Sequence, residues 1–458
     1  MSASVSVVAG DEVEAELAAL ARDVVRRAEP GEDLEVTIGR GRRTTVRAHG
    51  GEVESFTSAT TSGLGIRVVV DHREGFAHAG SLAPDVVADT LAEARDNARF
   101  ATPDDHVGLV EPDGVEAPEM VLWHPGIEAL TDDERIDRAV GLERAVRADP
   151  RIRTVRTSVW SDGVGWFALA ATSGIERSGR SGSCSASISA IGGDGDDTAT
   201  GYGVDASRDP SAIDLDAVAA EAIERTTELL GARPVPSRRV ALVLEPRLAA
   251  TVLGIVAGTL TGDAVAKGRS PFADRLGDTV ASALLELVDD PTDGRSLGAE
   301  PHDGEGLASR RNVLISDGVL RGFLHDGTSA RRASTRSTAS AVRGTRGLPS
   351  PGVRALAVRP GTMSPAELLA EVGDGFVVRS FAGLHSGVNP VSGDLSVGAE
   401  GRILRGGELA EPVREVTLAT SLQRLLLDLR AVADDLTWLP GGAGAPTIVV
   451  DGVSLGGR

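Results

Sequence analysis

His385-Ser386-Gly387-Val388-Asn389-Pro390-Val391-Ser392-Gly393-Asp394-Leu395-Ser396-Val397-Gly398-Ala399-Glu400-Gly401 is the most informative stretch of the chain. Four glycines and a proline punctuate it, yet short apolar steps set it apart from a disordered linker. Asn389-Pro390 and Ser392-Gly393-Asp394 are turn formers, so the chain is expected to reverse tightly and expose main-chain amides and carbonyls. Glycine permits close approach of another backbone, which suits a groove for an extended peptide.

Other blocks lie upstream and downstream of it. They are Val288-Asp289-Asp290-Pro291, Asp303-Gly304-Glu305-Gly306 with Arg310-Arg311, Asp317-Gly318-Val319-Leu320-Arg321-Gly322-Phe323-Leu324, and Pro446-Thr447-Ile448-Val449-Val450-Asp451-Gly452. Together with the G-x-N-P-V-[ST]-G-D run, their order and spacing over residues 235–457 resemble the TldD/PmbA (TldE) family. These are peptidases once called modulators of DNA gyrase.

The catalytic branch of that family carries an H-E-x-x-x-H helix and a C-terminal cysteine that complete a zinc site. The resemblance places the helix within Leu248 to Asp263, anchored by Leu260, Gly262 and Asp263, and the motif positions fall on Leu253, Gly254 and Gly258. None of these can bind a metal or act as a general base. The segment expected to hold the cysteine reads Leu439-Pro440-Gly441-Gly442-Ala443-Gly444, and the sole cysteine, Cys184, lies far upstream. The chain therefore resembles the metal-free PmbA/TldE branch, with no cofactor of its own and zinc expected in a TldD-like paralogue.

The residues by themselves offer no other zinc site. No two of His49, His72, His78, His106, His124, His302, His325 and His385 are three or four apart, as two ligands on one helical face would be. His302-Asp303-Gly304 and His325-Asp326-Gly327 sit in turn-like contexts and read as solvent-exposed loop histidines. Gly452-Val453-Ser454-Leu455-Gly456 fits G-x-S-x-G but has no following helix to hold the serine on a strained turn, and reads as a terminal strand. Gly201-Tyr202-Gly203-Val204-Asp205-Ala206 lacks the helix start of a dinucleotide loop. Lys267, the only lysine, is not in a phosphate loop.

With 47 basic against 67 acidic residues the net charge is −20. That field repels phosphate backbones, so nucleic acid is not an expected partner. Arg331, Arg332, Arg336, Arg343 and Arg346, spaced by Ser, Thr and Ala, read as a mobile surface loop. One cysteine excludes an intramolecular disulfide framework. Met1 to Gly10 lacks a basic start and a long apolar core, and no apolar run approaches membrane-spanning length, so a cytoplasmic protein without membrane contact is expected.

Periodicity predicts an α+β chain. Helices are expected at 11–29 and 84–100, with strands at 34–40, 44–48, 53–59, 65–71 and 74–79 between them. A similar order recurs, with helices at 132–148 and 215–230 around strands at 152–161, 164–171, 174–181, 185–191 and 197–204. This reads as two helix-flanked, mostly antiparallel units, 1–110 and 120–232, with a possible duplication. Gly231 to Pro236 reads as a linker. The unit 237–458 is expected to be strand-rich, antiparallel and barrel-like. It has a strand at 240–244, a hairpin through Asp317-Gly318, and strands at 353–358, 376–381, 399–405 and 407–413. Helices are expected at 279–288, at 420–433 and from Ser364-Pro365.

The resemblance implies a non-catalytic subunit of a heteromeric zinc peptidase acting on unfolded or modified peptides. Asp303, Gly304, Glu305 and Gly306, with Ser386, Gly387, Asn389, Pro390, Gly393 and Asp394, are the candidate peptide- or partner-contacting residues. Two alternatives stand beside it: an autonomous hydrolase using Asp303, Glu305, His302 or His385, with its paired carboxylates as acid and base, and a purely regulatory binding protein.

Overall fold

The computed structural model describes residues 10–195 and 197–458. The reading of the N-terminus as leaderless falls, from residue 1 to 9, outside the described residues.

The first half runs α1 (Gly10–Val25), β1 (Asp33–His49), β2 (Glu52–Val70), β3 (Arg73–Ala79), α2 (Pro84–Phe100), the single-turn α3 (Gly126–Ala129), α4 (Asp132–Arg147), β4 (Ile152–Ala171), β5 (Glu176–Asp194), β6 (Asp197–Ser207) and α5 (Leu215–Thr227). Helix, three strands, helix thus occurs twice. The six strands form one sheet ordered β3-β2-β1-β4-β5-β6, in which the repeats meet through their first strands, β1 against β4. The two units read from the sequence therefore share one sheet.

Several strands are longer than periodicity indicated. The pieces at 53–59 and 65–71 are one strand, because the small residues between them keep register, with Gly39 opposite Gly63 and Thr37 opposite Gly65. Every second side chain faces the helices. Leu34, Val36 and Ile38, Leu64, Ile66 and Val68, and Val164, Ala168 and Ala170 are buried in one cluster with residues of α1 and α2. Val46, Ala48, Trp160 and Ile188 join residues of α4 and α5 in another. In each repeat a glycine of the third strand lets the closing helix lie close. A Cβ on Gly75 would sit 2.8 Å from Ala98 Cα of α2, and one on Gly203 3.0 Å from the Val218 carbonyl carbon of α5.

The second half comprises β7 (Arg238–Leu244), α6 (Pro246–Thr259), α7 (Gly262–Ala266), β8 (Leu287–Asp289), β9 (Asn312–Ser316), β10 (Val319–Leu320), α8 (Gly327–Arg332), β11 (Ala341–Val342), β12 (Ser350–Pro351), β13 (Leu356–Val358), α9 (Pro365–Val372), β14 (Gly375–Ala382), α10 (Leu384–Gly387), β15 (Asp394–Arg405), β16 (Glu408–Ser421), α11 (Leu422–Leu427), β17 (Leu429–Val432), β18 (Thr437–Trp438), β19 (Gly444–Ala445) and β20 (Ile448–Gly456). Strands β7, β14, β15, β16 and β20 close into a barrel, since β16 pairs with β20 and β20 returns to β7. Closure removes the free edges of that sheet. All its pairs are antiparallel except β7 with β14. The apolar helix α6 belongs to the same core as the barrel, through Leu248, Val252, Leu253 and Val256.

Two helices differ from expectation. Residues 279–286 are mostly irregular, with a bridge from Thr279 to Val319 and a turn at 283–284, and lead into β8. The helix read over 420–433 stops at Leu427, and Leu429 to Val432 continue as β17 against β20, where pairing outweighs helical periodicity. Ser364 caps α9 as expected, in a reciprocal capping box with Glu367. Among the described residues no helix is long and apolar enough to cross a membrane.

Candidate functional site

The segments to which the resemblance assigns zinc chemistry adjoin in space, since α6 packs against β19, which begins at Gly444. Leu253 is buried in the core, whereas Gly254 is half-buried and Gly258, one turn on, is exposed. A Cβ at either glycine would meet nothing within 4 Å. The metal-motif positions thus combine one core leucine with an open glycine face, and they present no imidazole, thiolate or carboxylate. These residues do not fit a zinc ion. Among the described residues no group of three or more His, Cys, Asp or Glu is disposed to hold a metal.

The Asp303–Gly306 turn is buried. Asp303 is 6 % exposed and Glu305 0 % exposed, so neither carboxylate is solvated. Asp303 Oδ1 accepts from the amides of Glu305 and Leu307, each at 3.0 Å, and Oδ2 from Ala341 at 3.1 Å. This locks the turn and leaves no free oxygen positioned as a base. Glu305 Oε2 accepts from Gly327 N at 2.7 Å, and Oε1 has no hydrogen-bond partner. Gly306 has φ +84°, and a Cβ there would lie 2.9 Å from Leu169 Cδ2 of β4.

The structure joins this turn to a charge cluster that sequence reasoning missed. Arg67 of β2 lies directly opposite Glu35 of β1 in register. Its Nη1 is 3.8 Å from both Glu35 Oε1 and Glu305 Oε1, its Nε donates to Glu74 at 2.6 Å, and its Nη2 donates to the Gly108 carbonyl at 3.1 Å. Arg343, with a side chain only 2 % exposed, donates to Glu35. Glu35 and Glu74 balance Arg67 and Arg343, leaving Glu305 without a counter-ion of its own. Burial, reinforced by the negative charges of Asp303 and Asp326, pushes its carboxyl up to about 8. A neutral Glu305 at pH 7 fits that balance. A signal for the cluster was present in the sequence, since Arg67 interrupts the otherwise apolar run from Leu64 to Val70.

The arginine group is likewise not a mobile loop. Arg331 donates to the carbonyls of His106 at 2.7 Å, Gly108 at 2.7 Å and Leu109 at 3.3 Å, tying α8 to the segment after α2. Arg332 pairs with Asp104 at 2.7 Å, while Arg336 and Arg346 are exposed. The expected loop histidines are also corrected. His325 is buried and packs against Gly262, with Nδ1 3.3 Å from Ser329 Oγ. His302 is half-buried, and burial, with Arg177 and Arg354 nearby, lowers it to about 4. His385 is exposed. Ser454 stands in β20 opposite Arg239, as a strand residue, and Tyr202 in β6. Cys184 is buried, and burial raises its thiol to about 12, out of the reactive range.

The Ser386–Asp394 turn has a different environment. It caps the barrel hairpin between β14 and β15. Asn389 N donates to the Asp394 carbonyl at 2.8 Å, and Asn389 Oδ1 accepts from Val391 N at 2.9 Å and Ser392 N at 3.3 Å. Ser386, Asn389, Pro390 and Asp394 are exposed, Gly387 is half-buried and Gly393 buried. Gly393 holds φ +82° against the Gln423 side chain of α11, whose Nε2 donates to the Ser392 carbonyl at 3.0 Å. No hydrogen bond or ion pair joins this turn to the Asp303–Gly306 turn among the described residues. The two sets of candidates occupy separate places.

Comparison with known proteins agrees with this architecture. PmbA/TldA metallopeptidase domain 1 matches residues 34–98, the central domain 125–230 and the C-terminal domain 237–457. The chain belongs to the PmbA/TldD family. Metalloprotease PmbA of Escherichia coli O157:H7 is 27% identical, over 88% of this chain and 87% of its own length. A metalloprotease TldD homolog of Haemophilus influenzae is 26% identical, over 86% of each chain. The crystal structure of TldE from Thermococcus kodakarensis shares the fold, with a TM-score of 0.86 at 23% identity, covering 96% of this chain and 99% of that one. Within the PmbA/TldD fold, the Asp303–Gly306 turn lies inside, between the sheet and the second half, and the Ser386–Asp394 turn lies at the barrel rim.

Proposed function

We propose that this PmbA/TldD-family chain is the non-catalytic, metal-free subunit of a heteromeric zinc peptidase that processes unfolded or modified peptides. The observation that carries this reading is the chemistry of α6, where leucine and two glycines stand at the positions the family uses for metal and base. A TldD-like paralogue supplies zinc, which polarises water and the scissile carbonyl when bound. In this chain Ser386, Asn389, Pro390 and Asp394 are exposed on a preformed turn, shaped by half-buried Gly387 and buried Gly393, that faces that partner or the peptide. Asp303, Gly304, Glu305 and Gly306 act from within, by holding the sheet and the second half in register. The complex works in the cytoplasm and needs no nucleic acid or membrane.

The test is peptidase activity on an unfolded, fluorescently quenched polypeptide. The chain alone stays inactive at any zinc level, and turnover appears on adding a paralogue that carries H-E-x-x-x-H. Turnover by the chain alone that is abolished in Asp303→Ala would instead establish an autonomous hydrolase.

A further inference from the structure

The segment that leaves α2 is held to the fold by arginines. Among the described residues no main-chain hydrogen bond joins residues 105–110 to another element. Arg331 of α8 donates instead to the carbonyls of His106, Gly108 and Leu109. Arg67 of β2 donates to the same Gly108 carbonyl at 3.1 Å. This strap, residues 104–110, is thus fastened on both sides of the joint between the sheet and the second half. Asp104 pairs with Arg332 at one end, and Val110 is buried with Leu169, Ala171 and Leu307 at the other.

Glu305 lies beneath the strap. A Cβ on Gly327 would touch Val110 and lie 3.0 Å from Glu305 Oε1, so one glycine separates them. Oε1 and Arg67 Nη1 are both without a hydrogen bond and stand 3.8 Å apart. Burial lowers the Arg331 guanidinium, and the charges of Glu305 and Asp326 oppose that. Both arginines of the strap therefore feel Glu305. The other charged groups around it are engaged elsewhere. Glu35 of β1 has Arg343, and Glu74 of β3 has Arg67. Asp303 takes three main-chain amides, Asp326 caps α8 through the Ser329 amide, and Arg177 of β5 donates to the Gly306 carbonyl. An ionised Glu305 has only the strap's two arginines to turn to.

We infer that residues 104–110 form a proton-controlled latch, in which neutral Glu305 leaves Arg67 and Arg331 on the strap and ionised Glu305 draws them off the Gly108 carbonyl. Release frees the strap and bares the Val110 cluster at the joint. Glu305 is held up at about 8 while buried under the strap, and water restores it towards its ordinary 4.5 once the strap lifts. Release therefore sheds a proton. It becomes up to about tenfold more favourable for each pH unit between those values and levels off above the higher one. The latch needs neither zinc nor a partner, so it stands or falls separately from the subunit reading.

The test is thiol accessibility in the full chain. Val110→Cys places a thiol under the strap, and buried Cys184 reports global unfolding in the same molecule. Labelling rates are divided by those of an unfolded cysteine peptide at each pH, which removes the thiol's own titration. The introduced thiol is expected to label faster than Cys184 throughout, with a rate that climbs up to about tenfold per pH unit to about pH 8 and then flattens. Adding Glu305→Gln removes the climb. Thermolysin cleavage of the wild-type chain before Leu109, divided by that of a free peptide of the same sequence, follows the same profile and needs no variant. A rate independent of pH, an unchanged climb in Glu305→Gln, or labelling no faster than Cys184 would overturn the latch.

Discussion

The Asp303–Gly306 and Ser386–Asp394 turns look alike as sequence, each with two glycines and at least one acidic residue, yet they differ in almost every physical respect. The first is buried, and its carboxylates meet main-chain donors and a guanidinium carried by the sheet. The second is largely exposed, and its polar groups bond to one another and to α11 next door. Glycine is needed in both, at Gly306 and Gly393, for a positive φ and a close neighbour. A glycine-rich signature therefore indicates tight geometry and leaves open whether a turn is a surface to be contacted or a joint inside the molecule.

Substitutions separate the two roles. Arg67→Ala leaves buried Glu35 with Arg343 alone and half-buried Glu74 without its cation, and is expected to destabilise the fold by about 3–5 kcal/mol, measured by denaturant unfolding. Gly306→Ala forces an L-residue into a left-handed conformation against Leu169 and Ile175, with an expected loss of about 2–3 kcal/mol. A similar loss for a substitution of exposed Ser386 would erase the distinction between the turns.

Glu305 provides a pH-dependent version of the same comparison. Its proton is held to about pH 8 in the folded state, against 4.5 for the ordinary group. Between those values the unfolded chain binds fewer protons, so this group's contribution is complete below pH 4.5 and is lost as pH rises through 8. Glu305→Gln, which cannot ionise, is expected to gain stability relative to wild type across that window. Parallel pH profiles of the two proteins would contradict the neutral Glu305.

Asn389→Ala removes the acceptor for two turn amides and is expected to cost about 1 kcal/mol, while weakening association with the catalytic partner more than it lowers the melting temperature. The smallest effect has the opposite sign. Gly254→Ala and Gly258→Ala add a methyl to open space on a helix and are each expected to raise stability by about 0.5–1 kcal/mol in the isolated chain.

Much of this was legible before the structure. The pattern of α1, α2, α4 and α5, the hairpin at Asp317-Gly318 and the cap at Ser364 all follow from local periodicity and turn chemistry. Strand lengths did not, because Thr60-Thr61-Ser62-Gly63-Leu64 reads as a break and only pairing with β1 keeps it extended. β17 was hidden inside a helical pattern for the same reason. At the candidate sites, residue types sufficed to exclude zinc ligation on α6. Burial of Glu305 and Arg343 could not be read, since their partners Arg67 and Glu35 lie hundreds of residues away, and burial of Asp303 and His325 depends on tertiary neighbours such as Ala341 and Gly262.

The central claim, a metal-free subunit that serves a zinc-bearing partner, is tested most directly by purifying this chain, tagged at its native locus, and weighing the recovered assembly by native mass spectrometry with metal analysis. The account predicts co-elution in equal amounts with one paralogue that carries H-E-x-x-x-H and all of the zinc. Recovery as a homo-oligomer alone, or zinc bound stoichiometrically by this chain, would contradict it.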